Sequence, residues 1–269
     1  MKLIGIEEKK NISLRILIEI NKICKNNGIK YFLAYGTLLG AIRHRGFIPW
    51  DDDIDLVMFP SDYLKFIDIF NSSQSNSELA CVSYEKGDFA LPYAKVVNKK
   101  TCVVAVNRSD TTELSIGVDI FPYSVISKDR KESLKVVKRG FYLSKLLRYR
   151  LYNSFCEVCD KKFSLRKFLF YVFAKSHSKK RLFKKTIDFK ERYYGRDCGF
   201  CTYLFDSEKD RLFNYDWFGE VINVEFEGYQ FPAPKGYDSY LREYYGNYME
   251  LPPENQRIPH IAETAFWKD

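Results

Sequence analysis

The sequence predicts an α/β (α+β) chain: a mixed sheet flanked by helices and interrupted by a basic, mostly helical insertion. Three observations carry this. Short runs of β-forming residues alternate with segments whose apolar residues recur every three or four positions. Two pairs of those runs are joined by turn sequences that read as hairpins. Charge is uneven: 128–192 holds 21 Lys and Arg against 6 Asp and Glu, a net of +15 in a chain whose total is +8.

The elements follow in order. Asn11 to Asn27 predicts a helix, with Ile12, Ile16, Ile20, Ile23 and Cys24 on one face and Gly28 where a C-terminal cap belongs. Lys30 to Tyr35 predicts a strand, broken by Gly36-Thr37, and Leu38 to Arg43 the first turns of a helix. Ile54 to Phe59 is a second strand, and Pro60-Ser61-Asp62 opens a helix through Phe70. Leu79 to Tyr84 and Ala90 to Val97 flank Glu85-Lys86-Gly87-Asp88 as a hairpin. Thr101 to Val106 and Ser115 to Phe121 add two strands. Lys128 to Arg192 reads as mostly helical. Val221 to Phe226 and Tyr229 to Phe231 flank Glu227-Gly228 as a second hairpin, and Tyr237 to Tyr245 is a closing helix. The expected units are 1–127 as a catalytic core, 128–209 as a basic helical subdomain, and 210–269 as a hairpin and helix completing the core.

Composition excludes several classes. A chain of 269 residues, 46% apolar and 29% charged, reads as globular and buries roughly three-quarters of its unfolded surface. With 14 Gly, 9 Pro and 17% aromatics it is neither collagen-like nor disordered. Seven Cys, an odd number, do not make a disulfide-stapled mini-protein. No signal peptide is visible, because Arg15, Glu19 and Lys22 interrupt the first apolar stretch. The longest apolar run of the basic half, Phe168 to Ala174, is far shorter than the roughly 20 residues that span a bilayer. The expectation is a cytoplasmic protein with reduced thiols, soluble or peripheral on the inner face of the membrane. The aromatic-rich basic segment 128–192 reads either as a helical subdomain with a solvated face or as a patch for anionic lipid or an anionic polymer. Nucleic acid is a further alternative, though no recognised motif accompanies the charge.

The densest chemistry lies between Tyr35 and Asp55. Asp53 and Asp55, two apart, project to one face of a strand, and the run Asp51-Asp52-Asp53 adds more acid. Such a cluster repels itself unless a cation neutralises it, and hard oxygen ligands suit Mg²⁺ or Mn²⁺ alongside substrate phosphates. Gly36 permits a tight turn, and the N–H groups of the helix start that follows suit a phosphate. Arg43, His44 and Arg45 add positive charge. A third acid is expected from a neighbouring strand, and Asp119, in Gly117-Val118-Asp119-Ile120-Phe121, is flanked by apolar strand residues. Together these features predict metal-assisted phosphoryl or nucleotidyl transfer.

The runs GTLLGAIRHRGFIPWDDDIDL, VDIFP and YDSYLREYYGNYMELPP closely resemble the LicD family of phosphocholine transferases, in the nucleotidyltransferase-fold superfamily that includes the fukutin-related ribitol-phosphate transferases. The resemblance is strong over residues 30–66, fair at 91–122 and 229–260, and weak across the basic insertion. It implies a nucleotidyltransferase-like sheet, with Asp53, Asp55 and Asp119 as metal ligands and Asp51 as a supporting acid. Gly36-Thr37 is the implied phosphate-cradling turn, with Thr37 in place of the family's Ser. The implied reaction moves a phospho-alcohol from a CDP-activated donor to a sugar hydroxyl of a cell-surface glycan or lipid-linked glycan, releasing CMP. CDP-choline comes first, with CDP-ethanolamine, CDP-glycerol, CDP-ribitol or a CMP-phosphonate as variants. Arg43, His44 and Lys95 are candidate phosphate contacts; equally, Lys95 reads as a plain strand-edge lysine and His44 as a surface histidine. His260 has either a structural or a substrate-contact role. The rival readings are a nucleotidyltransferase releasing pyrophosphate and a non-enzymatic module for anionic lipid or nucleic acid. Finally, Cys156-x-x-Cys159 and Cys198-x-x-Cys201 have zinc-like internal spacing. They predict either one structural Zn²⁺ or reduced cysteines packed as small hydrophobes.

Overall fold

The computed structural model describes residues 2–73, 78–105, 115–152, 154–155, 164–195, 198–206, 210–258 and 263–269. In chain order the elements are β1 (Lys2–Ile4), α1 (Ile6–Asn27), β2 (Phe32–Leu33), α2 (Tyr35–His44), β3 (Asp55–Met58), α3 (Pro60–Ser73), β4 (Leu79–Ser83), β5 (Ala94–Asn98), β6 (Thr101–Ala105) and β7 (Gly117–Val125). The chain continues through α4 (Arg130–Leu151), α5 (Leu165–Lys175), α6 (Lys179–Glu191), β8 (Phe200–Tyr203), β9 (Phe213–Asn214), β10 (Val221–Phe226), β11 (Tyr229–Pro234), α7 (Tyr237–Tyr245) and β12 (Glu263–Trp267).

The core sheet runs β2-β3-β7-β5-β4, with β3 and β7 parallel and the other neighbours antiparallel. Nine-residue β7 is its spine. Its first half pairs with β3 and β5, and its last three residues pair with β8, which in turn pairs with β9. This is the mixed α+β sheet that the sequence predicts, of the nucleotidyltransferase-like kind. The hairpin β10–β11 turns on Glu227 and Gly228, both at positive φ (51° and 78°), the conformation of a two-residue turn matched to strand twist. A third sheet, β1-β12-β6, pairs Lys2–Ile4 and Thr101–Ala105 with Glu263–Trp267; of its strands the sequence predicts β6 but neither β1 nor β12.

Helix α1 buries Ile12, Ile16, Leu17, Ile20, Ile23 and Cys24, and ends on Gly28 at φ 60°. The Gly28 N–H closes the last turn onto Cys24 and Lys25 carbonyls, a left-handed cap that glycine adopts without strain. The expected strand 30–35 contracts to Phe32–Leu33, because helix α2 starts at Tyr35 rather than at Leu38. Segment 128–209 is predominantly helical, yet it is tied into the body. Val136, Val137, Leu143, Leu146 and Leu147 of α4 and Cys201 of β8 belong to the same buried cluster as the sheet. Helix α6 is anchored by a buried ion pair between Lys190 and Glu85, whose other oxygen accepts from the Tyr63 hydroxyl at 2.9 Å. No described helix is long and apolar enough to cross a membrane.

Candidate active site

Strand register builds the site. Asp55 of β3 lies directly opposite Asp119 of β7, and Asp119 lies opposite Lys95 of β5. Register partners share a face, so acid, acid and lysine form one row across three adjacent strands. Asp53 sits two residues ahead of Asp55, just before the strand begins, and Asp51 follows a turn closed by its N–H onto the Ile48 carbonyl.

The backbone of Asp55 is held on both sides. Its N–H donates to the Thr37 hydroxyl at 2.8 Å, and its carbonyl accepts from the Ala34 N–H at 3.0 Å. Thr37 is buried, so its hydroxyl oxygen fastens helix α2 to strand β3 rather than bordering the cleft. Helix α2 opens with Tyr35 at φ 47°, a left-handed conformation uncommon for a non-glycine residue. The Tyr240 hydroxyl of α7 accepts the Tyr35 N–H at 3.2 Å. At Gly36 a Cβ would sit 2.6 Å from Asp51 Oδ2, so glycine is what lets that carboxylate lie against the helix start.

The acids crowd one another. Burial raises the Asp53 carboxyl to about 7, aided by the charge of Asp51, a hydrogen bond between the two, and the charge of Asp119. Asp55 is raised well above the ordinary carboxylate range by burial and then by Asp53, Asp119 and Asp51, with Lys95 opposing. Burial likewise raises Asp51. Two acids are drawn aside: Asp52 pairs with Lys9 of α1 at 2.8 Å, and Asp119 Oδ1 with Lys95 Nζ at 3.0 Å. Asp119 Oδ1 is buried, and that ion pair lacks hydrogen-bond geometry. Among the described residues no three His, Cys, Asp or Glu side chains are already gathered as a ligand set. The donor chemistry nonetheless suits a hard divalent cation: carboxylate oxygens on one face, mutually repelling, one of them buried without a hydrogen bond.

A cleft of about 430 Å³ opens over this row. Gly36, Asp51, Asp53 and Asp55 border it. Asp119 and Lys95 are not among its lining residues. Arg43 and His44 do not reach it. They lie at the opposite end of α2, where the Arg43 guanidinium donates to the carbonyls of Tyr248 (2.7 Å) and Glu250 (3.3 Å) and to His44 Nε2 (2.9 Å). A helix rises about 1.5 Å per residue, which sets them some 10–12 Å beyond Gly36. Among the described residues, Arg148 of α4 is the cation that lines the cleft, and Asp206 lines it too. The remaining wall is aromatic. Tyr93, Phe121 and Tyr203 stand in sequence with ring centres 4.8 and 5.0 Å apart; Phe205 follows at 5.9 Å from Tyr203, and Tyr245 closes another side. Sequence reasoning missed all of these. Arg148 was one of 21 basic residues in its segment, with nothing local to single it out.

Of the cysteine pairs, Cys156 and Cys159 lie outside the described residues, as does His260. Cys198 is exposed and Cys201 buried, both as free thiols.

Sheet, acid row and arginine-bearing cleft together define a phosphotransferase on a nucleotidyltransferase-like scaffold. The family model described as LicD/FKTN/FKRP, nucleotidyltransferase domain, matches residues 28–146. A Haemophilus influenzae protein named lipopolysaccharide cholinephosphotransferase LicD is 30% identical over 278 residues, covering 99% of each chain. A Homo sapiens ribitol 5-phosphate transferase is 51% identical over 35 residues, 13% of this chain and 7% of its own. The chain belongs to the LicD family.

Proposed function

We propose that the protein transfers phosphocholine from CDP-choline to a hydroxyl of a glycan or lipid-linked glycan, releasing CMP. The observation that carries the choice of phospho-alcohol is the cleft wall. An anionic phosphate needs a cation, and Arg148 offers a planar fork of donors to it. A trimethylammonium group needs aromatic faces within about 6 Å and a counter-charge. Tyr93, Phe121, Tyr203 and Tyr245 supply the faces, and Asp206 the charge. The names of the two relatives, a cholinephosphotransferase acting on lipopolysaccharide and a ribitol-phosphate transferase, support a phospho-alcohol donor and a glycan acceptor.

Asp53, Asp55 and Asp119 are the residues that would hold Mg²⁺ or Mn²⁺. A divalent cation there supplies charge neutralisation for the donor diphosphate and the departing CMP oxygen. The amino end of α2, with Gly36 exposing its backbone, directs N–H groups toward the same phosphates. The acceptor's proton must pass to an acid bordering the cleft. Asp51 borders it and shares a hydrogen bond with Asp53, whereas Asp119 is engaged by Lys95. We therefore assign that proton to Asp51, with the acceptor oxygen attacking phosphorus as the bond to CMP breaks.

The test is CMP release from a panel of CDP-alcohols, with lipid-linked glycans as acceptors and added Mg²⁺. CDP-choline should lead, and Asp206→Asn should narrow its lead over CDP-ribitol. Preference for CDP-ribitol or CDP-glycerol in the wild type would overturn the choline assignment. Pyrophosphate release from CTP in place of CMP release would overturn phospho-alcohol transfer itself.

A further inference from the structure

Helix α5 carries two apolar stripes, and among the described residues the fold buries one and leaves the other largely exposed. Ala174 is fully buried, and Phe170, four residues earlier, packs edge-on against Tyr142 and Tyr149 of α4 at 5.7 and 4.8 Å. Leu165, Leu169, Val172 and Phe173 form the other stripe, at the i, i+4, i+7, i+8 spacing that ordinarily faces a core. They are 61, 58, 50 and 46% exposed, whereas Phe168 beside them packs on Phe155 at 5.1 Å. Single exposed apolar residues are ordinary, but four in one stripe of an 11-residue helix mark an interaction surface.

The charge of the helical segment that carries the stripe, net +15 over 128–192, identifies what covers it. Arg166 is exposed on the same helix. After residues 176–178 comes α6, whose Lys179, Lys180, Arg181, Lys184 and Lys185 are all exposed. The last four line a groove of about 380 Å³ against Leu143 and Phe189. A second copy would bring two segments of net charge +15 together, which opposes association. A neutral apolar partner would leave the lysines uncompensated. A bilayer containing anionic lipid answers both features.

We propose that α5 lies in the interfacial plane of an anionic lipid bilayer, its outer stripe among the upper acyl carbons, with the α6 lysines against lipid phosphates. Eleven residues span only about 16 Å, so the helix lies on the membrane and does not cross it. The inference stands apart from the reaction, since neither the exposed α5 stripe nor the α6 lysines are among the residues that line the cleft.

The experiment is co-sedimentation of the full chain with phosphatidylcholine vesicles, with and without phosphatidylglycerol, at low and high salt. Binding should require phosphatidylglycerol and weaken with salt. The variant Leu169→Gln/Val172→Gln should partition at least about tenfold less, with thermal unfolding little changed because both side chains are at least half exposed. Lys180→Gln/Lys184→Gln/Lys185→Gln should lose about fivefold for each lysine engaged. Three results would overturn the proposal. One is a wild type that ignores phosphatidylglycerol vesicles while binding dextran sulfate. Another is an α5 variant that sediments like wild type. The third is a dimer in analytical ultracentrifugation that the α5 variant abolishes.

Discussion

Replacing Thr37 by Val tests how the acid row is positioned. The Thr37 hydroxyl accepts the Asp55 N–H at 2.8 Å in a buried setting, and valine keeps the shape while removing the acceptor. A buried N–H left unpaired costs about 1–3 kcal/mol. For 269 residues the unfolding entropy is on the order of 0.56 kcal/mol/K, so the middle of that range lowers Tm by about 3–4 °C. The strand can relieve part of this cost by shifting Asp55, and a displacement of about 1 Å in a catalytic group costs on the order of 10²-fold in rate. Thr37→Val should therefore lose both stability and turnover, while Thr37→Ser, which retains the acceptor, should recover most of each. Differential scanning fluorimetry and CMP release measure the two. A Thr37→Val protein with wild-type Tm and turnover would refute the reasoning. A Ser variant as poor as Val would do the same, by showing that the methyl and not the hydroxyl matters.

Gly36→Ala should behave oppositely. Alanine favours the helix, but its Cβ must displace Asp51 Oδ2, so turnover should fall tenfold or more while Tm holds or rises slightly. Asp53→Asn should fold normally yet lose several orders of magnitude in CMP release, and added Mg²⁺ should raise Tm for the wild type but not for this variant; equal Mg²⁺ shifts would remove Asp53 from the metal site. Arg148→Ala should raise the donor KM by one to two orders of magnitude without rescue by Arg148→Lys, because a point charge does not replace a planar fork; an unchanged KM would exclude Arg148 from the phosphate site. Lys190→Met should cost about 3–5 kcal/mol in urea unfolding by stranding Glu85, and adding Glu85→Gln should restore most of it; a single variant as stable as wild type would show the pair to be structurally idle.

Much of this protein was legible before folding because the relevant signals are local. Helix α1 announces itself by its apolar period and its left-handed Gly28 cap, and α7 appears at the predicted residues. A third acid on a strand neighbouring Asp53 and Asp55 was expected because an acid between apolar strand residues needs a partner, and β7 sets Asp119 opposite Asp55. Where the reading departed from the structure, the missing information was non-local. Arg43 and His44 looked close to Gly36 in sequence, but one helix carries them to its far end, where backbone carbonyls hold Arg43. Thr37 looked like a phosphate contact, but helix α2 begins at Tyr35, two residues before it, and the hydroxyl meets β3. The apolar pattern of α5 fitted a core or an interface equally well, since period cannot tell which stripe will be covered.

The amino-acid sequence by itself determined which acids are candidates, the strand and helix segments that carry them, and the family. Each rests on residue types a few positions apart, whereas the row itself forms only through the register of β3, β7 and β5. Tertiary structure alone decided the cleft wall. Arg148, Tyr203, Asp206 and Tyr245 come from α4, from the segment that begins at β8 and from α7, and they meet Gly36 and Asp55 only because β7 pairs with β3 along its first half and with β8 along its last residues. No local preference encodes such a meeting. It follows from burying several faces around one sheet at once.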